Sequence, residues 1–262
     1  MGDAGAGADV EVGILGRIRA TVDGHEVDLG GPRQQALLAA LAARAGRTVP
    51  NDVLIDAIWD GDPPDAAAST FRSYIARLRR AFERAGARGA TVVLTDSAGY
   101  RLDDAVEVDA SLFEAEATQA REHFAQGELT ETVRLTGDAL GRWEGGAFGP
   151  FSDRVWAAPA AVRLEELRLG TRELRARALL DSDRVLQAVA RLEELAASEP
   201  YRESVVQLRA LALYRAGRDA DAMRVIRDFR ARLVAEHGLD PSGQLTELES
   251  MVLNRDPRLD RP

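Results

Sequence analysis

The stretch STFRSYIARLRRAFERAGAR, residues 69–88, sets Arg72, Arg77, Arg79, Arg80, Arg84 and Arg88 against one acid, Glu83. A guanidinium is a planar, permanently charged donor that pairs two-pronged with phosphate or with the O6/N7 edge of guanine, so the chemistry available is recognition rather than bond making. Phase matters as much as composition. Phe71, Ile75, Leu78 and Phe82 recur at helical spacing and form one stripe that has to face a core. Opposite stand Ser69, Ser73, Arg77 and Arg80, with Thr70, Tyr74 and Arg84 on one flank and Arg72 and Arg79 on the other. This wet face is short and hydroxylic in its first half and cationic in its second. It suits a helix laid in a DNA major groove, where small residues permit close approach, Arg reads base edges and flanking groups hold phosphates.

Catalysis has no comparable footing. Cysteine is absent, which excludes disulfides, thiol nucleophiles and thiolate metal sites. His25, His123 and His237 lie far apart with no ligand spacing among them, so no metal, cofactor or catalytic residue is expected and the chain does not read as an enzyme. The glycine-rich run Gly141 to Gly146 follows a helical pattern and lacks the strand and the Gly-Lys-Thr ending of a phosphate loop, so it reads as a turn. Trp59, Trp143 and Trp156 read as packing anchors.

The elements that must carry the cationic helix can be read around it. Val10, Val12 and Ile14, then Ile18, Ala20 and Val22, then Val27 and Leu29 alternate at period two, with a turn at Asp23-Gly24, which predicts a short antiparallel sheet. Pro32 opens a helix with Leu37, Leu38, Leu41 and Ala45 inward and Gly46 as its left-handed cap. A second helix covers Asp52 to Trp59, with Val53, Leu54, Ala57 and Ile58 inward, and Asp60 to Pro64 stops it. Asp65 is placed to cap the third helix, about Ala66 to Ala85. Val92, Leu94, Gly99-Tyr100 and Leu102 then form two strands around Thr95 to Ala98. A short helix, a turn, an Arg-faced helix and a hairpin together describe a helix-turn-helix with a wing.

Charge separates this part from the rest. The whole chain has a net charge of -9, yet residues 1–103 hold 12 Arg and 14 acids while the remainder holds 22 Arg and 29 acids. The acidic half would repel DNA and fits a protein-contacting role. It reads as helix from Asp109 onward, and residues 178–195 echo 212–229 at a shift of 34, Leu179 on Leu213, Ala188 on Ala222, Leu192 on Ile226 and Leu195 on Phe229. That period is the tetratricopeptide length and favours stacked helical hairpins. Residues 124–140 share the cadence, so an insertion around Trp143 to Pro159 has to intervene. The expected fold is therefore an α+β N-terminal winged helix-turn-helix followed by an all-α tetratricopeptide-like domain. The boundaries are a tail over 1–9, the winged helix over 10–103, a linker over 104–108, the helical domain over 109–257 and a tail over 258–262.

The stretches GGPRQQALLAALAARAGRTV (30–49), LIDAIWDGDPP (54–64), TFRSYIARLRRAF (70–82) and GYRL (99–102) resemble the winged-helix domain of the OmpR and PhoB class. Together with RLEELRLGTRELRARALL (163–180), residues 211–245 and RDP (255–257), they make the chain similar to the Streptomyces antibiotic regulatory proteins, whose second half is a bacterial transcriptional activation domain. The resemblance implies Ser73 and Arg77 at base edges, and Arg33, Ser69, Thr70, Arg72, Tyr74, Arg79 and Arg80 at phosphates or flanks. It implies a wing containing Ser97, Gly99 and Tyr100 that approaches the minor groove, and a polymerase-contacting loop of Trp59, Asp60, Gly61, Asp62, Pro63 and Pro64. The implied partners are double-stranded promoter DNA, bound as a homodimer on direct repeats, and the sigma factor of RNA polymerase. The implied targets are antibiotic or other secondary-metabolite genes. Three departures stand out: Gln35 where many members have Arg, Pro50 in place of a frequent Ser so that Asn51 has to help cap the second helix, and a wing without Arg over Thr95 to Ala98.

No run of apolar residues is long enough to span a bilayer, and the N-terminus lacks a basic and apolar leader, so the expectation is a cytoplasmic activator with no membrane partner. The alternative is a helical-repeat adaptor whose winged helix binds protein instead of DNA. The end at Pro262 is compatible with a natural terminus or with a cut ahead of an ATPase or phosphopeptide-binding domain, where longer members of the family continue.

Overall fold

The computed structural model describes residues 8–260, and the expected tails lie in part outside them, at 1–7 and 261–262. The chain divides into two compact units, residues 1–115 with 141–167, and residues 116–140 with 168–262.

In the first unit the strands β1 (Val10–Gly13), β2 (Arg19–Val22) and β3 (His25–Glu26) form an antiparallel meander. Alternation buries Val10, Val12, Ala20 and Val22 on one face. The third strand stops at Glu26; Val27 gives one more backbone bond to the Ala20 carbonyl, and Val27 and Leu29 are buried beyond the ladder. Helix α1 (Pro32–Ala42) starts with Pro32 at its first turn and buries Leu37, Leu38 and Leu41. Gly46, expected to end it, lies further on in the left-handed region (φ 71°). The intervening backbone winds down through tighter turns, Arg44 to the Leu41 carbonyl and Ala45 to that of Ala42.

A two-residue strand, β4 (Val49–Pro50), leads directly into α2 (Asn51–Trp59). Pro50 takes the cap position without a side-chain bond, so Asn51 is the first helical residue rather than a cap. The long helix α3 (Ala67–Arg84) follows the Pro-Pro turn. Asp65 does not cap it: the Pro64 carbonyl accepts the Ala67 amide, and Ala66 becomes the cap residue. A short helical turn, α4 (Gly89–Val92), precedes the hairpin β5 (Val93–Thr95) and β6 (Gly99–Leu102). The small sheet has the order β4-β6-β5, with Pro50 opposite Gly99.

Residues 107 and 108, within the stretch expected to be a linker, form β7 (Glu107–Val108), which pairs in parallel with β1. The first sheet thus has the order β3-β2-β1-β7. Asp109, at the start of α5 (Asp109–Ala125), accepts from the Ile14 and Leu15 amides at 2.9 and 3.1 Å. Burial raises its pKa, and those two amides oppose the rise. The segment expected as an insertion belongs to this unit as well. Glu144 and Phe148 donate to the carbonyls of Leu15 and Ile14, and Trp143 and Trp156 pack edge-on to Phe113 and Phe148.

The second unit is helical: α6 (Leu129–Gly141), α8 (Val185–Ser198), α9 (Glu203–Arg215), α10 (Asp219–His237) and α11 (Gly243–Leu253), with parts of α5 and of α7 (Ala158–Asp181). The apolar pairs that mark the 34-residue echo are all buried, Leu179 with Leu213, Ala188 with Ala222, Leu192 with Ile226 and Leu195 with Phe229. Paired helices of this period cannot each bury their apolar face alone, so neighbouring pairs share one core. Leu259, in the stretch expected as a tail, is buried in that core, and Arg215 donates to its carbonyl at 2.8 Å.

Candidate nucleic-acid interface

Helix α3 buries Phe71, Ile75, Leu78 and Phe82 as its phase requires, with Tyr74 and Ala81 completing the inward side. This fixes the rotation of the helix, and the opposite side is wet: Ser69, Arg72, Ser73, Arg77, Arg80 and Arg84 are all exposed. Among the described residues no acid pairs with Arg72, Arg77, Arg80, Arg84 or Arg88, so their full charge faces solvent. The Ser69 and Thr70 hydroxyls each donate to the Ala66 carbonyl at 2.9 Å. Their hydrogens are committed to the first turn of the helix, which weakens them as donors to a phosphate.

Three residues expected at phosphates or in the wing sit deeper than that expectation requires. Arg79 is half-buried, and its Nε and Nη2 donate to the Val93 carbonyl at 3.0 and 2.6 Å, with Nη2 also donating to Thr95 Oγ1 at 2.8 Å. Its guanidinium carbon lies 5.7 Å from the Tyr100 ring centroid. A side chain so placed ties α3 to β5 instead of reaching outward. Tyr74 is only 8% exposed, because its ring closes the gap to Trp59 of α2. Gly99 is buried as well: a Cβ there would stand 2.0 Å from the Val49 carbonyl oxygen, so only glycine lets β4 approach β6 this closely. Gly89 has the same role against the Arg79 carbonyl, at 2.1 Å.

The remaining positions are at the surface. Arg33 projects from the first turn of α1 with its guanidinium carbon 5.9 Å from the Trp59 ring centroid. Gln35, where an Arg is frequent, donates to the Gly30 carbonyl at 3.2 Å. At the wing tip Ser97 is exposed and donates to Asp96 at 3.0 Å, while Thr48 donates to the other carboxylate oxygen at 2.8 Å. Thr48 first and Ser97 second hold the Asp96 carboxyl below its ordinary pKa. The wing tip therefore carries a pinned anion and no Arg, which disfavours insertion between phosphates. Tyr100 packs edge-on to Phe71 at 5.6 Å and forms the inner side of the wing.

The loop after α2 is shaped by its backbone. Asp60 takes a left-handed conformation (φ 58°) and Gly61 continues it (φ 80°), with their amides directed to the Asp56 carbonyl. Asp62 and the two prolines are exposed, and Arg154 forms an ion pair with Asp60. Neither Arg154 nor Thr48 was marked by sequence reasoning. Their partners lie 94 and 48 residues away, and no local pattern announces such a contact.

The described residues contain no group of three or more His, Asp and Glu arranged to hold a metal ion. None of their helices is long and apolar enough to cross a membrane.

Comparison with known proteins agrees with this geometry. The family described as "Transcriptional regulatory protein, C terminal" matches residues 24–102, and "Bacterial transcriptional activator domain" matches residues 108–253. The chain is 38% identical over 253 residues to regulatory protein AfsR of Streptomyces coelicolor, covering 94% of this chain and 24% of that one. It is 31% identical over 258 residues to regulatory protein DnrI of Streptomyces peucetius, covering 96% and 95%. The chain thus spans about a quarter of the AfsR proteins it matches and nearly all of DnrI. The structure of Mycobacterium tuberculosis EmbR, solved in complex with a low-affinity phosphopeptide, superposes with a TM-score of 0.89 at 30% identity over 95% of this chain and 66% of EmbR. The chain belongs to the Streptomyces antibiotic regulatory protein family, bacterial transcriptional regulators that join an OmpR/PhoB-type winged helix-turn-helix to a bacterial transcriptional activator domain.

Proposed function

We propose that this chain is a cytoplasmic, sequence-specific transcriptional activator of antibiotic or other secondary-metabolite genes. In this reading α3 lies in the major groove of promoter DNA, Ser73 and Arg77 meet base edges, and Arg33, Arg72 and Arg80 meet phosphates with Ser69 and Thr70 beside them. Arg79 and Tyr74 support the reading helix from behind, a role we prefer to direct phosphate contact because their polar groups are already engaged. The chain binds directly repeated half-sites as a homodimer. The loop Trp59 to Pro64 engages the sigma factor, and the helical unit serves dimerisation or regulation.

The observation that carries this reading is the unpaired guanidinium face of α3, set opposite a buried apolar stripe on a winged helix. Each phosphate neutralised by such a face releases counterions and contributes about -0.9 to the slope of log K against log salt. Footprinting of the chain on the promoters of its own genomic neighbourhood should therefore give a protected direct repeat whose occupancy falls steeply between low and moderate salt. Absence of any salt-sensitive protected site would point instead to the adaptor alternative.

A further inference from the structure

A cation that reads a base has to be aimed, and a long arginine side chain is flexible. In a folded protein such a side chain is commonly fixed by a carboxylate, but a carboxylate competes with DNA for the same donors. Arg77 is held differently. Its guanidinium carbon lies 5.6 Å from the centroid of the Tyr74 ring, one helical turn earlier in the sequence, and no acid pairs with it among the described residues. The ring is itself fixed, because it meets Trp59 edge-on at 5.7 Å with an interplanar angle of 83° and is 8% exposed. Arg33 completes the group: its guanidinium carbon is 5.9 Å from the Trp59 centroid, and its Nη1 is 3.5 Å from the Tyr74 hydroxyl. Two cations from α1 and α3 are thus set on two aromatic rings from α2 and α3.

The negative face of an aromatic ring orients a guanidinium without neutralising it. We infer that Tyr74 is a positioning residue for DNA specificity: its ring holds Arg77 in register for a base edge. This rests on the reading that α3 enters the major groove. It differs from a phosphate contact by Tyr74, which the burial of the ring disfavours. It also differs from a purely structural role, because what it controls is discrimination between bases rather than affinity for DNA in general.

The test is a selection of bound sites by the full chain from a randomised duplex pool, with binding to an unrelated duplex measured in parallel. Arg77→Ala is expected to lose preference at one base position. Tyr74→Leu keeps an apolar side chain and removes the ring face, and it is expected to lower the preference at that same position roughly threefold to tenfold, as loss of a cation–π contact would. Its affinity for the unrelated duplex and its salt slope should stay unchanged. Tyr74→Phe should restore the preference, and Tyr74→Leu should add nothing once Arg77 is alanine. Equal losses on selected and unrelated duplexes, or an undiminished effect in the Arg77→Ala background, would overturn the positioning role alone. An Arg77→Ala variant with unchanged base preference would overturn the groove reading, and the positioning role with it. A DNA-free measurement covers the case in which Tyr74→Leu does not fold. In chain carrying ¹³C-labelled arginine, the side-chain protons of Arg77, assigned with Arg77→Lys, should be shifted upfield by the ring, and random-coil values would sink the proposal.

Discussion

Arg154 forms an ion pair with Asp60 across 94 residues of sequence, joining the segment after α6 to the left-handed turn that ends α2. Both side chains are nearly half exposed, so the pair is screened and contributes little to stability. Its effect is local: it restrains Asp60, the second residue of the loop proposed to meet the sigma factor. Arg154 can act this way because its own turn is rigid, its carbonyl accepting the Ala157 and Ala158 amides while Phe148 and Phe151 pack against Trp156.

Replacing Arg154 with Ala should accordingly separate two activities. Stability should change by less than about 1 kcal/mol, and promoter affinity should be unaltered, while transcription from the same promoter with reconstituted polymerase falls. Equal transcription by both proteins would show that the restraint on Asp60 has no functional weight.

Arg77 and Arg80 share one exposed face of α3 but carry different proposed roles. Arg77→Ala should cost roughly 1 to 3 kcal/mol on the selected site and relax base preference, whereas Arg80→Ala should weaken all sequences alike and reduce the salt slope by about one unit. Gel shifts on matched and mismatched duplexes over a salt series distinguish the two. Identical behaviour of both variants would remove the distinction between reading and clamping.

Arg79 bonds to the Val93 carbonyl and to Thr95, so its loss should loosen the hairpin rather than delete a DNA contact. Hydrogen bonds from a charged donor contribute about 1.5 to 3 kcal/mol, and Arg79→Ala should destabilise the first unit on that order. Hydrogen exchange should show faster opening of β5 and β6. Arg79→Lys, with one compact ammonium in place of the fork, should recover only part of the stability. A variant with unchanged exchange in the hairpin but weakened DNA binding would return Arg79 to the phosphates.

At the wing tip the Thr48 hydroxyl is the largest cause lowering the Asp96 pKa. A carboxylate whose folded pKa lies below its unfolded value adds stability that is present above the unfolded pKa and is lost as pH falls through the folded one. Thr48→Val should raise the Asp96 pKa toward its ordinary value, read from the carboxyl carbon shift in an NMR titration. Asp109 has the opposite sign. Burial raises its pKa, so its contribution is present below the unfolded pKa and declines as pH rises through the folded one. The same titration should place Asp109 above and Asp96 below the usual aspartate range.

Much of this was legible in local sequence because it depends on period. The stripe Phe71, Ile75, Leu78 and Phe82 is buried as its spacing requires, and that fixes the side of the helix on which the arginines stand. The 34-residue echo is legible for the same reason, since each matched position falls at the same place on a paired helix. Helix ends were less so. Asp65 and Gly46 have the right chemistry for caps, yet the Pro64 carbonyl and the winding-down turns after Ala42 had already satisfied those backbone groups.

The sequence by itself determined the succession of sheet, three main helices and hairpin, the amphipathic phase of α3 and the absence of cysteine and lysine, which left arginine as the only basic side chain apart from three histidines. Those properties depend on neighbours within a turn or two of helix. Only the tertiary structure decided that Tyr74 lies beneath Arg77 against Trp59, that Arg79 anchors β5, that β7 joins β1, and that Arg154 restrains Asp60. Each of these couples residues that are distant in sequence or come from different elements. The side chain alone does not settle whether an arginine or tyrosine faces solvent or a partner: free guanidinium and phenol groups look alike in a sequence until the fold supplies the carbonyl, ring or carboxylate that claims them.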